Sequence, residues 1–227
     1  SRDALLLGLA FVFTSLCMQA VFADEGHPVT LPHLLGLGAA GVLLALLEQH
    51  MGADALVLQT LEKRLNALEE ALAADPAITG VLIQLSETST GVLHPVREVA
   101  RITRQRDVLL VVDGISAVGL SPCPLDEWGL DCLLTGSQKG LMLPPGLALL
   151  ALSERAWEKA AGVTPGCFYF NLLKEREYVA KGQTLFTSAV NLIVGLDESL
   201  DMLLENGLEA VYAKQWALTM LTRAGVT

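Results

Sequence analysis

An aspartate and a lysine of complementary chemistry each follow a short apolar run. Asp113 comes directly after VLLVV at 108–112, and Lys139 follows the small and polar residues 136–138 after CLLT at 132–135. A lysine between small residues and an apolar stretch is predicted to be buried, and burial would lower its pKa and make its amine a nucleophile. A lysine that forms a Schiff base, with an acid that keeps a pyridine nitrogen protonated, is the minimum set for pyridoxal phosphate chemistry.

Each of these two residues also has an ordinary structural interpretation. A carboxylate at the end of an apolar strand is costly to bury unless it is paired, so Asp113 could instead cap the turn at 114–116. Lys139 could be an exposed loop lysine, which is the commoner fate of any single lysine. The sequence alone leaves both alternatives open.

Short apolar runs and helical leucine spacings predict the elements that must position these residues. Strands are predicted at 55–58, 81–85, 108–112, 132–135 and 147–152. Helices are predicted where Leu61, Leu65, Leu68 and Leu72 recur before Asp75-Pro76, from Pro95 to Arg106, after the cap Ser153, and over 192–204 and 208–221 around Asn206-Gly207.

Strands that alternate with helices predict an α/β fold with a mostly parallel sheet. In such sheets, functional groups collect at the carboxyl ends of the strands. Three polar groups stand at those ends, namely the ETSTG segment at 87–91, Asp113 and the SQK segment at 137–139. The pattern therefore predicts one shared site.

Composition excludes several classes of protein. Of 227 residues, 52% are hydrophobic and 18% charged, which excludes a disordered chain. The formal net charge is −10 and no lysine or arginine cluster stands out, so no nucleic-acid partner is expected. The four cysteines have no CxxC spacing and no histidine cluster beside them, so no metal site is expected.

The N-terminal residues 4–23 form an uncharged stretch of twenty residues. That length would span a bilayer, and the VFA at 21–23 resembles a signal-peptidase site. Against a signal or anchor, the preceding Ser-Arg-Asp carries no net positive charge, and buried elements of α/β enzymes show similar runs. The buried interpretation is preferred, with a cytoplasmic protein expected, and the signal or anchor remains the alternative.

Three stretches resemble the class V aminotransferases of fold-type I, in the alanine–glyoxylate/serine–pyruvate branch. They are SETSTGVLHPVREVA at 86–100, the segment 111–160 that contains VVDGIS, GSQK and LPPG, and FTSAVNLIVG with the helices after it at 186–226. The resemblance runs from about residue 52 to residue 226. The middle stretch is the most specific, because acid, spacer, GSQK and LPPG fall in the family's order.

The resemblance implies a three-layer large domain with a mostly parallel sheet of seven-strand type. Residues 1–51 would be an atypical apolar segment, 52–190 the domain that binds pyridoxal phosphate, and 191–227 helices leading toward a small domain that the sequence lacks. The FVFTSLCMQA segment at 11–20 stands where the family has a glycine-containing phosphate loop. Bulky residues there hinder close backbone approach to a phosphate, so an altered site is expected.

The resemblance also implies roles for six residues. Lys139 would bind the cofactor covalently and shuttle a proton, and Asp113 would pair with the pyridinium nitrogen. Ile115 would pack on a ring face, and Thr88 would bond near the ring. Gln138 would contact the phosphate, and Thr187 would reach the phosphate of the neighbouring subunit in a homodimer.

The implied reaction moves an amino group from an amino acid such as alanine or serine to a 2-oxo acid such as glyoxylate or pyruvate. Two other functions remain open. One is a non-catalytic module for binding or dimerisation. The other is a cysteine desulfurase, although that family expects a histidine where Gln138 stands and a catalytic cysteine that Cys167 does not match in position.

Overall fold

The computed structural model describes residues 54–226, and the side chains of residues 60–226. The helices are α1 (Asp54–Ala74), α2 (Val96–Gln105), α3 (Leu125–Trp128), α4 (Glu154–Ala161), α5 (Leu172–Ala180), α6 (Val190–Leu204) and α7 (Leu208–Val226). The strands are β1 (Gly80–Gln84), β2 (Ser86–Glu87), β3 (Val92–Leu93), β4 (Leu109–Asp113), β5 (Cys132–Gly136) and β6 (Ala148–Leu152).

Four of these strands form the main sheet in the order β1-β4-β5-β6. The first three are parallel, and β6 runs antiparallel to β5. Helix α2 connects β1 to β4 and packs against both, as parallel pairing requires a crossover. The expectation of an α/β fold with a mostly parallel sheet is confirmed. Strands β2 and β3 form a separate small hairpin after β1.

One face of the sheet packs against α1 and α2. Alternate residues of β1 and β4 point into this core, because successive side chains of a strand face opposite sides. Helix α2 supplies the opposing apolar stripe, while its other positions carry exposed arginines and a glutamate. The fully buried residues at the centre are Leu85, Val96, Ala100, Ile102, Leu110, Val112 and Leu130.

A second cluster lies beside the first and joins β6 to α6. Leu147 and Leu149 pack with Leu141 and with Leu196 and Leu200 of α6. The buried Ser199 hydroxyl also donates to the carbonyl of Leu141. Helix α6 therefore rests against the segment that follows β5, which is the segment that carries Lys139.

The apolar run at 55–58 does not form the predicted strand. These residues belong to α1, which begins at Asp54 and continues to Ala74. An apolar run of four residues fits a strand or a buried helix segment equally well, and here it continues the helical leucine pattern that follows. The other predicted strands and helices are present, with ends shifted by a few residues.

An ion pair between Arg155 and the buried Asp131 stabilises the end of the sheet opposite Lys139. Asp131 is 1% exposed and accepts hydrogen bonds from the Leu110 amide, at 2.8 Å, and the Ser153 hydroxyl, at 3.0 Å. Arg155 donates to the same carboxylate through Nε and Nη2, and also to the Val108 carbonyl. These bonds hold the chain next to the starts of β4, β5 and α4.

None of the helices described between residues 54 and 226 is long and apolar enough to cross a membrane. The apolar stretch at 4–23, the segment at 11–20 and the boundary expected near residue 51 lie outside the described residues. The signal, anchor and phosphate-loop interpretations therefore stay predictions.

Candidate functional site

The site forms at the carboxyl edge of the parallel strands, where the chain leaves β1, β4 and β5. Gln84 at the end of β1 pairs with Asp113 at the end of β4. Asp113 in turn pairs with Leu134, two residues before the end of β5. The segments that follow these strands therefore emerge side by side, as the strand-end polar groups predicted.

Asp113 occupies the last position of β4 and is half-buried. Its Oδ1 accepts a hydrogen bond of 2.9 Å from the Ile115 amide, so the turn-capping interpretation is confirmed. Within the described residues, Oδ2 has no partner. One oxygen thus fixes the carboxylate against its own turn, and the other remains available to a ligand.

Lys139 is exposed, so the expectation of a buried lysine is wrong. Ser137 takes the inward position after β5, and Gln138 and Lys139 lie on the outer side of the turn. Within residues 60–226, the Lys139 amine makes no hydrogen bond or ion pair. Lys139 is therefore an exposed lysine in a loop, as the alternative interpretation expected. A ligand can reach its amine from solvent.

The turn of Lys139, or lysine turn, comprises residues 137–147 between β5 and β6. A close backbone contact joins this turn to the loop that follows Asp113. A Cβ atom built on Gly140 would lie 2.3 Å from the Val118 carbonyl oxygen, closer than any side chain allows. The backbone of Gly119 also lies against Gly140. Because Gly140 directly follows Lys139, this contact fixes the lysine turn beside the loop of Asp113.

The Gln138 amide folds back over the end of β5. A Cβ built on Gly136 would lie 2.8 Å from Gln138 Oε1, so the glycine leaves the space that the amide occupies. Leu134 and Gly136 share one face of β5, and Leu134 pairs with Asp113 in register. Gln138 therefore lies on the same face of the sheet as the Asp113 side chain.

Thr88 reaches the loop after β4 from the neighbouring hairpin. Its Oγ1 lies 2.7 Å from the hydroxyl of Ser116, which follows half-buried Ile115. The preceding Glu87 accepts bonds from the amide and hydroxyl of Ser89, and these bonds hold its pKa below the ordinary value. The segment of Thr88 is thus a structured turn that contacts the Asp113 loop.

Thr187 stands apart from the other five predicted residues. It is exposed in the segment between α5 and α6. Among residues 60–226, no hydrogen bond or ion pair joins it to the lysine turn or to the loop of Asp113. The structure thus brings together Thr88, Asp113, Ile115, Gln138 and Lys139, and leaves the role of Thr187 a prediction.

Three residues of the site were given no individual role from the sequence. Ser116 pairs with Thr88, Gly140 packs on Val118, and Ser137 closes the lysine turn through bonds described below. Ser116 and Ser137 each stand within three residues of a predicted site residue. That proximity was the available signal, but a serine side chain in a turn has many possible partners.

Comparison with known families gives one match that covers most of the chain. A family model described as aminotransferase class-V matches residues 33–226. The match includes all the segments that meet at the carboxyl edge.

Two curated relatives illustrate the range of similar proteins. The small subunit of a soluble hydrogenase from Synechococcus sp. is 41% identical over 147 residues, covering 64% of this chain and 38% of that protein. A serine–glyoxylate aminotransferase from Methylorubrum extorquens is 37% identical over 168 residues, covering 70% of this chain and 42% of that protein.

A solved structure supports the same relationship. Alanine–glyoxylate aminotransferase from Nostoc sp. superposes with a TM-score of 0.62 at 30% identity, covering 66% of this chain and 40% of that one. The superposition confirms the expected fold of the large domain. The chain spans about two fifths of the length of the relatives it matches.

Proposed function

The chain belongs to the class-V aminotransferase family, and we propose that it carries the pyridoxal phosphate site of a transaminase. The reaction would move an amino group from an amino acid of the alanine or serine type to a 2-oxo acid of the glyoxylate or pyruvate type. The contact of Gly140 with Val118 carries the proposal, because it sets an exposed lysine beside the loop of a strand-end aspartate.

The side chains at this edge fit the chemical groups of pyridoxal phosphate. The exposed Lys139 amine suits an aldehyde, and the Asp113 oxygen that has no partner among residues 60–226 suits a protonated ring nitrogen. The hydroxyls of Thr88 and Ser116 and the Gln138 amide offer donors for the ring oxygen and the phosphate. The described part of the site thus offers a partner for each polar group of the cofactor.

Pyridoxal phosphate, when bound, supplies an aldehyde that captures amines and a ring that draws electrons from the bonds of the amino-acid α-carbon. Lys139 would hold the cofactor, and its Nζ would afterwards move a proton between the α-carbon of the amino acid and the C4′ atom of the cofactor. Asp113 would keep its free oxygen on the ring nitrogen, while its bond to the Ile115 amide fixes its direction.

The remaining predicted residues would orient the cofactor. The half-buried Ile115 side chain would pack on one face of the ring. Thr88, held by Ser116, would bond beside the ring, and Gln138 would bond the phosphate. Thr187, exposed before α6, would reach the phosphate bound to a partner subunit.

Covalent capture of pyridoxal phosphate tests the cofactor assignment. The purified chain is mixed with the cofactor, treated with borohydride, digested and analysed by mass spectrometry. We expect the added mass on Lys139, none in Lys139→Ala, and an unchanged result in Lys159→Ala, which removes an exposed lysine of α4. Capture spread over several lysines, or capture that persists in Lys139→Ala, would contradict the assignment.

Amino donors and assembly are tested separately. The chain loaded with pyridoxal phosphate, without borohydride treatment, is offered alanine, serine and aspartate, and release of the corresponding 2-oxo acid is measured. Capture without turnover would favour the alternative of a binding module. Sedimentation would show whether the expected homodimer forms, and cell fractionation would test the expected cytoplasmic location.

A further inference from the structure

We propose that Ser137 is a positioning residue, whose buried hydroxyl holds the turn of Lys139 so that the amine meets the aldehyde of pyridoxal phosphate. The inference rests on the function proposed above. It concerns a residue that contacts no reacting group and acts through the backbone of the turn.

The Ser137 hydroxyl takes the place of one backbone hydrogen bond where the pairing of β5 with β6 ends. The strands pair in register up to Gly136 and Ala148, so Ser137 and Leu147 would form the next pair. The Ser137 amide does donate to the Leu147 carbonyl, at 3.1 Å, but the Ser137 carbonyl accepts from Leu143 instead. The Leu147 amide is left without a backbone acceptor, and the Ser137 hydroxyl accepts its bond at 3.2 Å.

The same hydroxyl closes the turn from its other end. It donates a hydrogen bond of 2.7 Å to the Pro144 carbonyl, and Ser137 is fully buried. The Leu147 amide and the Pro144 carbonyl therefore both have a partner where the chain leaves the sheet. The segment between these bonds presents Gln138 and Lys139 outward.

The turn also contains a backbone conformation that needs support. Met142 has a φ of 59°, and its amide donates to the Lys139 carbonyl at 2.9 Å. A non-glycine residue keeps this conformation only where its surroundings enforce it. Without the hydroxyl of Ser137, the turn could relax and carry the lysine away from the Asp113 loop.

Capture of the cofactor depends on this placement. The Lys139 Nζ forms a bond to the aldehyde carbon, and the aldehyde oxygen leaves as water. An amine that is already held near its target reacts faster than one that must be ordered first. Loss of the hydroxyl should therefore slow capture more than it disturbs the fold as a whole.

The experiment compares Ser137→Ala with Ser153→Ala in the full chain. Each serine hydroxyl donates one hydrogen bond and accepts one, and they lie at opposite ends of β6. Both substitutions should lower the thermal midpoint. We expect borohydride-trapped capture at Lys139 to slow about tenfold or more in Ser137→Ala, and less than about twofold in Ser153→Ala.

Amide hydrogen exchange of the cofactor-free chain gives a readout that needs no pyridoxal phosphate. In Ser137→Ala, the amides of Leu143 and Leu147 should exchange faster, while those of β4 should not change. If Ser137→Ala does not fold, Ser137→Cys keeps the size and a weaker donor, and should show the same changes to a smaller extent.

Equal slowing in the two alanine variants, or wild-type capture in Ser137→Ala, would overturn the proposal. A wild-type chain that captures no cofactor would refute the proposed function. In that case the exchange rates still decide whether Ser137 holds the turn, because unchanged exchange at Leu143 and Leu147 would overturn that step by itself.

Discussion

The backbone conformation of Met142 places strain next to Lys139. Met142 has a backbone conformation in the left-handed region, and its side chain is exposed. Few packing contacts of that side chain therefore offset the backbone strain. Such a conformation costs an ordinary residue about 1–2 kcal/mol, and asparagine adopts it more readily. The strain thus falls within the turn that presents Lys139.

Met142→Asn should therefore stabilise the protein. We expect the free energy of unfolding to rise by about 0.5–1 kcal/mol, measured by urea denaturation. Met142→Val is the matched control, because a β-branched side chain tolerates the left-handed region poorly and should lower the same quantity. Equal effects of the two substitutions would show that backbone strain is not what limits this position.

The cysteine thiols differ in their surroundings. Burial raises the pKa of the Cys123 thiol to about 11, and burial, with the nearby Asp131 charge, raises that of Cys132 to about 12. At pH 8 very little thiolate is present at either position, and the thiolate is the reactive form. All three of these cysteines are half-buried side chains, and the Cys167 thiol donates to the Phe170 carbonyl.

Alkylation with iodoacetamide at pH 8 should thus modify Cys167 at least about tenfold faster than Cys123 or Cys132. Peptide mapping of the native chain measures the three rates, and denatured protein gives the reference rates. The unfolded thiols lose their protons at a lower pH than the same thiols in the folded chain. The free energy of unfolding should therefore fall as pH rises above about 9. Rapid native modification of Cys132 would contradict the raised pKa of its thiol.

Among the elements, the buried ion pair of Asp131 and Arg155 fastens the sheet end opposite the site. Asp131 is buried, and a buried charge without a partner is costly, so the contact with Arg155 matters for stability. The hydrogen bonds to Asp131 raise the pKa of Arg155, in keeping with that pairing. The pair therefore helps to define where β4 and β5 begin.

Arg155→Ala should lower the free energy of unfolding by about 3 kcal/mol or more, because it leaves the Asp131 carboxylate buried without its cation. Arg176→Ala removes the arginine of an exposed pair with Glu154, and should cost about 1 kcal/mol or less. Denaturant unfolding of both variants measures the difference. Similar losses would mean that other donors compensate Asp131.

Much of this arrangement could be predicted from the sequence, because strands that alternate with helices leave few topologies. Asp113 and the segment of Lys139 were placed correctly at strand ends. The run at 55–58 was assigned wrongly because four apolar residues fit either element. The exposure of Lys139 and the contact of Gly140 with Val118 depend on how the chain turns after Ser137, which residue types alone do not encode.

At the scale of the whole molecule, burial is distributed unevenly over residues 60–226. The strands β1 and β4 lie in the main core, whereas α7 has no buried residue and contacts α6 through one side. Trp216 and Leu221 of α7 are exposed. A helix with so few buried side chains has little tertiary packing to stabilise it against local unfolding.

Hydrogen exchange should follow this gradient. Among residues 54–226, amides of β4 should be the most protected and those of α7 the least, with a difference of several orders of magnitude under native conditions. Exchange measured by mass spectrometry on the isolated chain tests the order. Strong protection of α7 would indicate that a second copy covers it, and dilution of the protein should then speed its exchange.

The antiparallel pairing of β5 with β6 has a consequence for the order of folding. Its register joins Gly136 to Ala148, whereas β1 pairs with β4 between Gly80 and Leu109. Shorter loops cost less entropy to close, so the hairpin that carries Lys139 should be among the first long-range contacts to form. The lysine turn would be assembled before the Asp113 strand has joined it, and the two halves of the site would meet only when the sheet closes.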